Sequence, residues 1–260
     1  MNPKTIILMR HGESEGNVDS TMYSHTPDYK LKLTDLGIQQ AVDAGLHLAS
    51  MNLIHKAELH AYLSPYTRTR QTMMHVLRGY GGPLKVEVRE DPRVREQDWG
   101  NLYSLYHSDR MRDESKKFGR FFYRMENGRS GADLYGELST FFDTMFRDFE
   151  RPDFPETVLI PTHGLTLRLI LMRWFNWTVE QYEALKNPDN CEFITLRYDA
   201  ETDYYHIDLA CSTYKPCIKT LNAGVIAWNA NMQYYISDSG NVFPEDIQIT
   251  LRQRPATNGN

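Results

Sequence analysis

The chain has 260 residues, a formal net charge of −5, 41% apolar residues and 24% charged residues. These values are typical of a globular protein. The net acidity disfavours nucleic acid as a partner, since proteins that bind it normally present a basic face. No apolar run reaches the roughly 18 residues that a membrane span requires.

The three cysteines, Cys191, Cys211 and Cys217, are odd in number and lack a Cys-x-x-Cys spacing. The simplest interpretation is free thiols in a reducing compartment, and no signal-peptide core is visible near the N-terminus, so we expect a cytoplasmic protein. A metal site formed by Cys211, Cys217 and His206 is less favoured, because structural zinc sites usually contain closer ligand pairs.

The first half of the chain alternates between predicted strands and helices. Residues 5–9 are an apolar run that enters a glycine-containing turn, which predicts a buried strand. Residues 34–50 carry apolar side chains at helical spacing behind a possible N-cap at Thr34. A strand at residues 59–63 ends at Ser64-Pro65, which predicts a helix capped by Ser64 that runs to about Gly79.

The second half continues this alternation. Strands are predicted at residues 86–88 and 157–160, helices at 134–149 and 165–175, and a hairpin at 193–198 and 204–209. The pattern predicts one α/β domain over residues 1–250, a three-layer sandwich with a mostly parallel central sheet and helices on both faces. Residues 103–133 are expected to form an insertion that covers the active site, and residues 251–260 a flexible tail.

Two segments share one pattern, an apolar strand followed by one or two residues and then His-Gly. They place His11 and His163 just beyond the carboxyl ends of two strands, where open α/β sheets bind ligands. If the strands are neighbours, both imidazoles face one pocket. The remaining histidines are interpreted as surface or core residues: His25, His47, His55, His60, His75, His107 and His206.

Cationic and amide side chains lie near both segments. Arg10 supplies a planar guanidinium that can bind two phosphate oxygens at once, and Asn17 could donate a further hydrogen bond. Arg68 falls in the first turn of a predicted helix, whose N-terminus favours anions, whereas Arg70 points to the other side. The sequence contains neither a Walker loop nor a dinucleotide-binding fingerprint.

The chemistry also needs a proton donor. Spacing alone does not choose among Glu13, Glu15, Glu90, Asp91, Glu96 and Asp98. An apolar neighbour would raise the pKa of a carboxyl, and Glu96 lies near Trp99, but without further information a solvated loop charge is the favoured interpretation.

Five ordered blocks resemble the histidine phosphatase superfamily, in its phosphoglycerate-mutase-like branch. The blocks are Arg10 to Ser14 with Asn17; Leu33 to Gly37 with Gln40 and Ala41; Ser64 and Pro65 with Arg68, Gln71 and Thr72; Glu96 with Gly100; and Thr162 to Gly164. The segments at residues 118–124 and 163–175 are most similar to a eukaryotic-type subgroup of these phosphatases.

The resemblance implies a metal-independent phosphatase, without a cofactor, that acts on small phosphate monoesters through a phosphohistidine. His11 would be the nucleophile, and Glu96 would protonate the leaving oxygen and then activate water. Arg10, Arg68 and His163 would surround the phosphoryl group, with Asn17 and Gly164 beside it. The sequence carries no signal for an oligomeric state.

Two departures from the family pattern leave alternatives open. Pro161 lacks the N–H that a strand position uses for pairing, and Arg129 stands where relatives often carry an acid. A mutase-type phosphotransferase is one alternative, although the insertion lacks the matching arrangement of cations. The other is a non-catalytic, regulatory module that binds phosphate esters. The scattered basic residues of the insertion are interpreted mainly as a solvated face: Arg110, Arg112, Lys116, Lys117, Arg120 and Arg124.

Overall fold

The structure is a computed structural model that describes residues 2–100 and 105–216. Cys217, the predicted tail at 251–260 and the C-terminal part of the predicted domain lie outside the described residues.

Six strands form one mixed sheet. They are β1 (Thr5–Arg10), β2 (Glu58–Leu63), β3 (Lys85–Glu90), β4 (Thr157–Thr162), β5 (Phe193–Asp199) and β6 (Tyr204–Ile207). Their spatial order is β3-β2-β4-β1-β5-β6. Strands β3, β2, β4 and β1 pair in parallel, and β5 pairs antiparallel with both β1 and β6. The predicted, mostly parallel sheet and its terminal hairpin are confirmed.

Seven α-helices connect the strands in the described parts of the chain. They are α1 (Glu15–Val18), α2 (Asp35–Ser50), α3 (Thr67–Tyr80), α4 (Leu105–Phe118), α5 (Gly131–Phe149), α6 (Gly164–Phe175) and α7 (Val179–Glu183). The four predicted helices correspond to α2, α3, α5 and α6, whereas α1, α4 and α7 were not predicted. None of the described helices is long and apolar enough to cross a membrane.

The two faces of the sheet belong to separate hydrophobic cores. On β1, Ile7 and Met9 pack with α2 and α3, and Ile6 and Leu8 pack with α5 and α6 on the opposite face. This alternation follows from the two-residue period of a strand, and it explains why β1 is apolar at every central position. The result is the predicted three-layer sandwich.

Helix α3 begins later than the sequence predicts. Its N-cap is Tyr66, with extended φ and ψ of −74° and 144°, so Ser64 and Pro65 precede the helix instead of starting it. The prediction was wrong because the Ser64 hydroxyl has another partner, the imidazole of His163. At α2 the predicted cap is confirmed, since Thr34 Oγ1 accepts a hydrogen bond from the Gly37 N–H.

Pro161 does not interrupt its strand. It pairs with Met9 in the parallel register of β1 and β4, which continues to Arg10 and Thr162. On the other side, the last pair of β2 with β4 is Ala61 with Leu159, and the Pro161 carbonyl accepts from the Ser64 N–H at 3.3 Å. Pro161 therefore lies beyond the last pair of β2 with β4, where its missing N–H costs little stability.

The predicted insertion contains α4 and the turns that lead into α5. Its C-terminal part contacts the loop that follows Glu96: the Arg129 N–H donates to the Asp98 carbonyl at 2.9 Å, and Gln97 Nε2 donates to the Arg129 carbonyl at 2.6 Å. The insertion thereby anchors one side of the loop that carries a candidate proton donor.

Helices α2 and α3 pack with their backbones unusually close together, which yields a stability prediction. A Cβ atom built on Gly79 would lie 2.0 Å from the Val42 carbonyl oxygen, whereas one built on Gly136, in α5, meets nothing within 4 Å. We expect Gly79→Ala to lower the free energy of unfolding by about 1–3 kcal/mol, because backbone atoms must separate. Gly136→Ala, the matched control, is expected to raise it by about 0.5–1 kcal/mol.

Urea unfolding followed by circular dichroism measures both changes. Equal effects of the two substitutions would contradict the proposed closeness of α2 and α3.

Candidate active site

The two strand-His-Gly segments meet at one edge of the sheet. Strands β1 and β4 are parallel neighbours, and their register pairs Arg10 with Thr162, so His11 and His163 leave the sheet at the same edge. Their ring centroids are 5.2 Å apart, and both side chains are buried. Helix α6 begins directly after His163, which brings a helix N-terminus to the same place. The predicted convergence of the imidazoles is found.

Arg68 lies between the two imidazoles. Its Nε donates to His11 Nε2 at 3.2 Å, and its Nη2 lies 3.3 Å from His163 Nδ1. A guanidinium only donates hydrogen bonds, so both of these imidazole nitrogens must accept. The proton of neutral His11 is therefore on Nδ1, which donates to the Gly12 carbonyl at 2.7 Å. His11 Nε2 keeps its lone pair.

The same argument fixes the tautomer of His163. Its Nδ1 faces Arg68, so its proton is on Nε2, which donates to the Ser64 hydroxyl at 2.8 Å. The sequence placed Ser64 in a helix cap and missed this role. The signal for it was the position of Ser64 directly after β2, the strand that neighbours β4.

Both imidazoles are held in the neutral form. Burial lowers the pKa of His11 well below its usual range, and the charges of Arg68 and Arg10 lower it further. Burial followed by Arg68 has the same effect on the pKa of His163. A neutral imidazole beside two guanidiniums is both a nucleophile and part of a binding site for an anion.

Arg10 approaches from the end of β1. Its Nη1 donates to the Pro188 carbonyl at 2.6 Å, and its buried Nε has no hydrogen-bond partner among the described residues. Burial lowers the pKa of Arg10, while the nearby carboxylate of Glu96 opposes this shift. A buried donor without a partner is costly, which is the state expected for a group that binds an oxyanion.

Asn17 lies in α1, and its amide oxygen is already in use. Asn17 Oδ1 accepts from the Ser14 N–H and hydroxyl, both at 3.1 Å, and from Asn190 Nδ2 at 3.2 Å. This leaves the Asn17 amide nitrogen as the group that could donate to a ligand.

The sequence missed the loop of residues 185–191, which holds the segment that carries His11. Asn190 Nδ2 and the Cys191 N–H both donate to the His11 carbonyl, at 3.1 and 3.2 Å. Burial raises the pKa of the Cys191 thiol to about 12. Nothing in the local sequence relates this loop to residues some 180 positions earlier.

Glu96 is the candidate acid that the structure favours. Desolvation raises its pKa above its usual range, against the hydrogen bond from the Gln97 N–H and the charges of Arg68 and Arg10. The Asp28 carboxylate acts in the same direction as desolvation. The loop that carries it is tied to the sheet edge, since Thr162 Oγ1 donates to the Val94 carbonyl and Thr166 Oγ1 to the Arg95 carbonyl.

The other candidate acids form hydrogen bonds or ion pairs with other residues. Arginine side chains bind Glu90 and Asp91 and lower the pKa of each. The remaining three carboxylates accept hydrogen bonds within their own segments or from a neighbouring loop: Glu13 from Thr34, Glu15 from the Lys32 N–H, and Asp98 from the Gly100 N–H. Arg70 is exposed and binds Glu90, on the other side of the helix as predicted.

Two groups of sequence candidates lie apart from this site. Arg129 pairs with Glu137 of α5, and ion pairs with acidic side chains also hold three basic residues of the insertion: Arg110, Lys116 and Arg124. Within residues 2–100 and 105–216, no three His, Cys, Asp or Glu side chains are placed to hold a metal ion. Cys217, one of the three residues considered for such a site, is outside this part of the chain.

The tautomers give a prediction that is independent of any activity. At pH 6.5, His11 and His163 are expected to be neutral, with the proton of His11 on Nδ1 and that of His163 on Nε2. Two-dimensional ¹⁵N NMR of histidine-labelled protein measures both states directly. Ser64→Ala is expected to shift the His163 resonances and leave those of His11 nearly unchanged. A protonated pair, or two identical tautomers, would contradict the assignment.

Comparisons with known sequences agree on one family. A family model for the histidine phosphatase superfamily (branch 1) matches residues 6–206. Phosphoglycerate mutase-like protein AT74 of Arabidopsis thaliana is 37% identical over 260 aligned residues, which cover 91% of this chain and 81% of the relative. Broad-range acid phosphatase DET1 of Saccharomyces cerevisiae is 26% identical, with 83% of this chain and 91% of the relative covered.

Solved structures share the fold. A structure described as mycobacterial hydrolase 1 has a TM-score of 0.61 at 20% identity. The match covers 79% of this chain and 97% of the chain in that structure. A mycobacterial glucosyl-3-phosphoglycerate phosphatase in complex with VO3 has a TM-score of 0.59 at 18% identity, with the same shares covered. The extent of the family match and the similarity to the Arabidopsis relative show that this chain belongs to the histidine phosphatase superfamily, branch 1.

Proposed function

We propose that the protein is a phosphatase that hydrolyses small phosphate monoesters through a phosphohistidine at His11, with no need for a metal ion. The observation that carries the proposal is the Arg68 guanidinium between His11 Nε2 and His163 Nδ1. It holds a cation directly against the lone pair of His11 Nε2, so an anion bound by the guanidinium would lie next to that lone pair.

In the first step, the lone pair of His11 Nε2 attacks phosphorus and forms a P–N bond. The P–O bond of the ester breaks, and the leaving oxygen takes the proton of the Glu96 carboxyl. Arg10 and Arg68 compensate the negative charge on the phosphoryl oxygens, and the N-termini of α3 and α6 add favourable dipoles. The two guanidiniums thus supply the charge compensation that a metal ion supplies in other phosphoryl-transfer sites.

In the second step, the Glu96 carboxylate takes a proton from water as the water oxygen attacks phosphorus. The P–N bond breaks, phosphate leaves, and His11 Nε2 recovers its lone pair while Glu96 is again protonated. His163 assists when the dianion is bound, because the added negative charge raises the pKa of its imidazole and favours proton uptake at Nδ1.

The test of the nucleophile uses p-nitrophenyl phosphate in the presence of EDTA. His11→Ala is expected to lower turnover at least about 1,000-fold, since no other described group offers a lone pair at this position. His206→Ala, a substitution at an exposed site on β6, is the matched control and is expected to retain wild-type turnover. Equal turnover by the His11 variant and the wild type would refute the proposal.

The same assay series separates hydrolysis from the alternatives that the sequence left open. Isomerised product without free phosphate would indicate a mutase, and binding of phosphate esters without turnover would indicate a regulatory module. The intact pairing of Pro161 removes one of the reasons for considering the latter.

The role of Glu96 predicts separate effects on the two steps. A p-nitrophenolate leaving group needs little protonation, so Glu96→Gln is expected to release about one equivalent in a burst and then stall as a phosphohistidine, because no base activates water. With wild-type protein and an alkyl ester such as glycerol 3-phosphate, whose leaving oxygen must be protonated, kcat/KM is expected to rise with pH as His11 loses its proton below pH 6.5 and to fall as Glu96 loses its proton above pH 4.5.

The variant is expected to lose the descending limb of this pH profile. Stopped-flow absorbance and ³¹P NMR measure the burst and the intermediate. Steady turnover at the wild-type rate, with an unchanged profile, would assign the acid to another residue.

A further inference from the structure

Asp28 reaches from a surface turn into the active site. It begins a 3-10 turn, Asp28–Lys30, and its carboxylate Oδ1 and backbone carbonyl accept from Arg68 Nη1 at 2.7 and 2.8 Å. The Arg68 side chain is only 3% exposed, and that of Asp28 is 25% exposed. Asp28 is not among the site residues predicted from the sequence, and the proposed reaction does not use it.

The ion pair with Asp28 uses one corner of the guanidinium and does not involve the edge formed by Nε and Nη2. Nη1 is bound by Asp28, whereas Nε and Nη2 face the two imidazoles. The Nε and Nη2 edge is one of the two that can bind a phosphate through two parallel hydrogen bonds. Asp28 and a phosphoryl group therefore do not compete for the same atoms of Arg68, and the aspartate charge stays in the pocket when substrate is bound.

The surface next to Asp28 is aromatic and acidic. The ring of Tyr66 packs on His163, with centroids 4.9 Å apart, and lies under Arg68 Cζ at 4.8 Å. The Tyr23 ring packs directly against Gly16: a Cβ atom built on Gly16 would lie 2.7 Å from that ring. Desolvation and then Asp28 raise the pKa of Tyr23, to about 12, and desolvation followed by Asp28 also raises that of Tyr66.

Among the described residues, the two cations that act on both imidazoles are Arg10 and Arg68. A phosphate monoester dianion is matched by the two guanidiniums of Arg10 and Arg68. Arg95, a further cation that acts on Tyr66, is held by Glu137 in a two-point ion pair at 2.7 and 3.2 Å. With the dianion bound, the Asp28 carboxylate is thus a surplus negative charge, and it lies near enough to Glu96, the proposed proton donor to the leaving oxygen, to raise the pKa of that carboxyl.

We propose that Asp28 is a specificity-determining residue that selects phosphate monoesters with uncharged leaving groups, such as polyols or aromatic alcohols, over esters that carry a second acidic group. The selection is electrostatic, because a carboxylate or second phosphate on the leaving group is repelled by Asp28 in a partly desolvated pocket. It rests on the proposed function and names the substrate class of that same site.

The test compares two substrates of nearly the same shape. Glycerol 3-phosphate and 3-phosphoglycerate carry the phosphate at the same end, and they differ at the other end by a hydroxymethyl group against a carboxylate. Wild-type protein is expected to favour glycerol 3-phosphate at least about tenfold in kcat/KM. Asp28→Asn keeps an oxygen that accepts from Arg68 Nη1 but removes the charge, so it is expected to lower that preference about tenfold.

Asp43→Asn is the matched control, because it removes one negative charge from an exposed position on α2. It is expected to leave both the activity and the preference unchanged. A merely structural role of Asp28 would lower both rates together and leave their ratio constant. That result, or a wild-type preference for 3-phosphoglycerate, would overturn the proposal.

Failure of the proposed function is distinguishable from failure of this inference. Hydrolysis of glycerol 3-phosphate by His11→Ala at the wild-type rate, or hydrolysis of neither substrate by the wild type, would refute the function and the inference with it. Hydrolysis that depends on His11, with a substrate ratio that is insensitive to Asp28→Asn, would refute the inference alone. Thermal unfolding of each variant confirms that it is folded before the ratios are compared.

Discussion

The active site depends on a single guanidinium shared between two imidazoles. Because Arg68 can only donate, its contacts require His11 Nε2 and His163 Nδ1 to be unprotonated in the free protein. Burial and positive charge favour the same neutral forms, so hydrogen bonding and electrostatics agree. The carboxylate of Asp28 then fixes which edge of Arg68 faces the imidazoles. The neutral charge and the tautomers of the two imidazoles, and the orientation of the Arg68 guanidinium, are consequences of this one arrangement.

Much of the family pattern serves to hold this arrangement in place. Gln40 accepts from the Glu13 N–H, Gln71 from the Leu33 N–H, and Thr72 from the Gly12 N–H. These side chains satisfy backbone groups in loops that have no regular secondary structure to do so. These motif residues can therefore be structural supports whose loss would misplace His11, the proposed nucleophile, rather than remove it.

The sequence predicted what depends on local periodicity and on the ends of strands. The sheet and four helices follow from apolar runs and helical spacing, and the convergence of His11 with His163 follows from the two apolar runs that end in His-Gly. Contacts between distant segments were not accessible in this way: Asp28 on Arg68, Asn190 on His11, and the Ser64 hydroxyl, which binds His163 instead of capping α3. Local capping rules failed at Ser64 because a tertiary hydrogen bond was available to its side chain.

The packing of Cys191 against the segment that carries His11 has a consequence for redox chemistry. Its backbone N–H supports the His11 carbonyl, yet its own thiol is buried, with a pKa raised to about 12, and so stays protonated at neutral pH. Oxidants attack thiolates, and the group that forms the covalent intermediate in the proposed reaction is an imidazole. An enzyme that forms its covalent intermediate on an imidazole is expected to remain active at peroxide concentrations that inactivate enzymes with a catalytic thiolate.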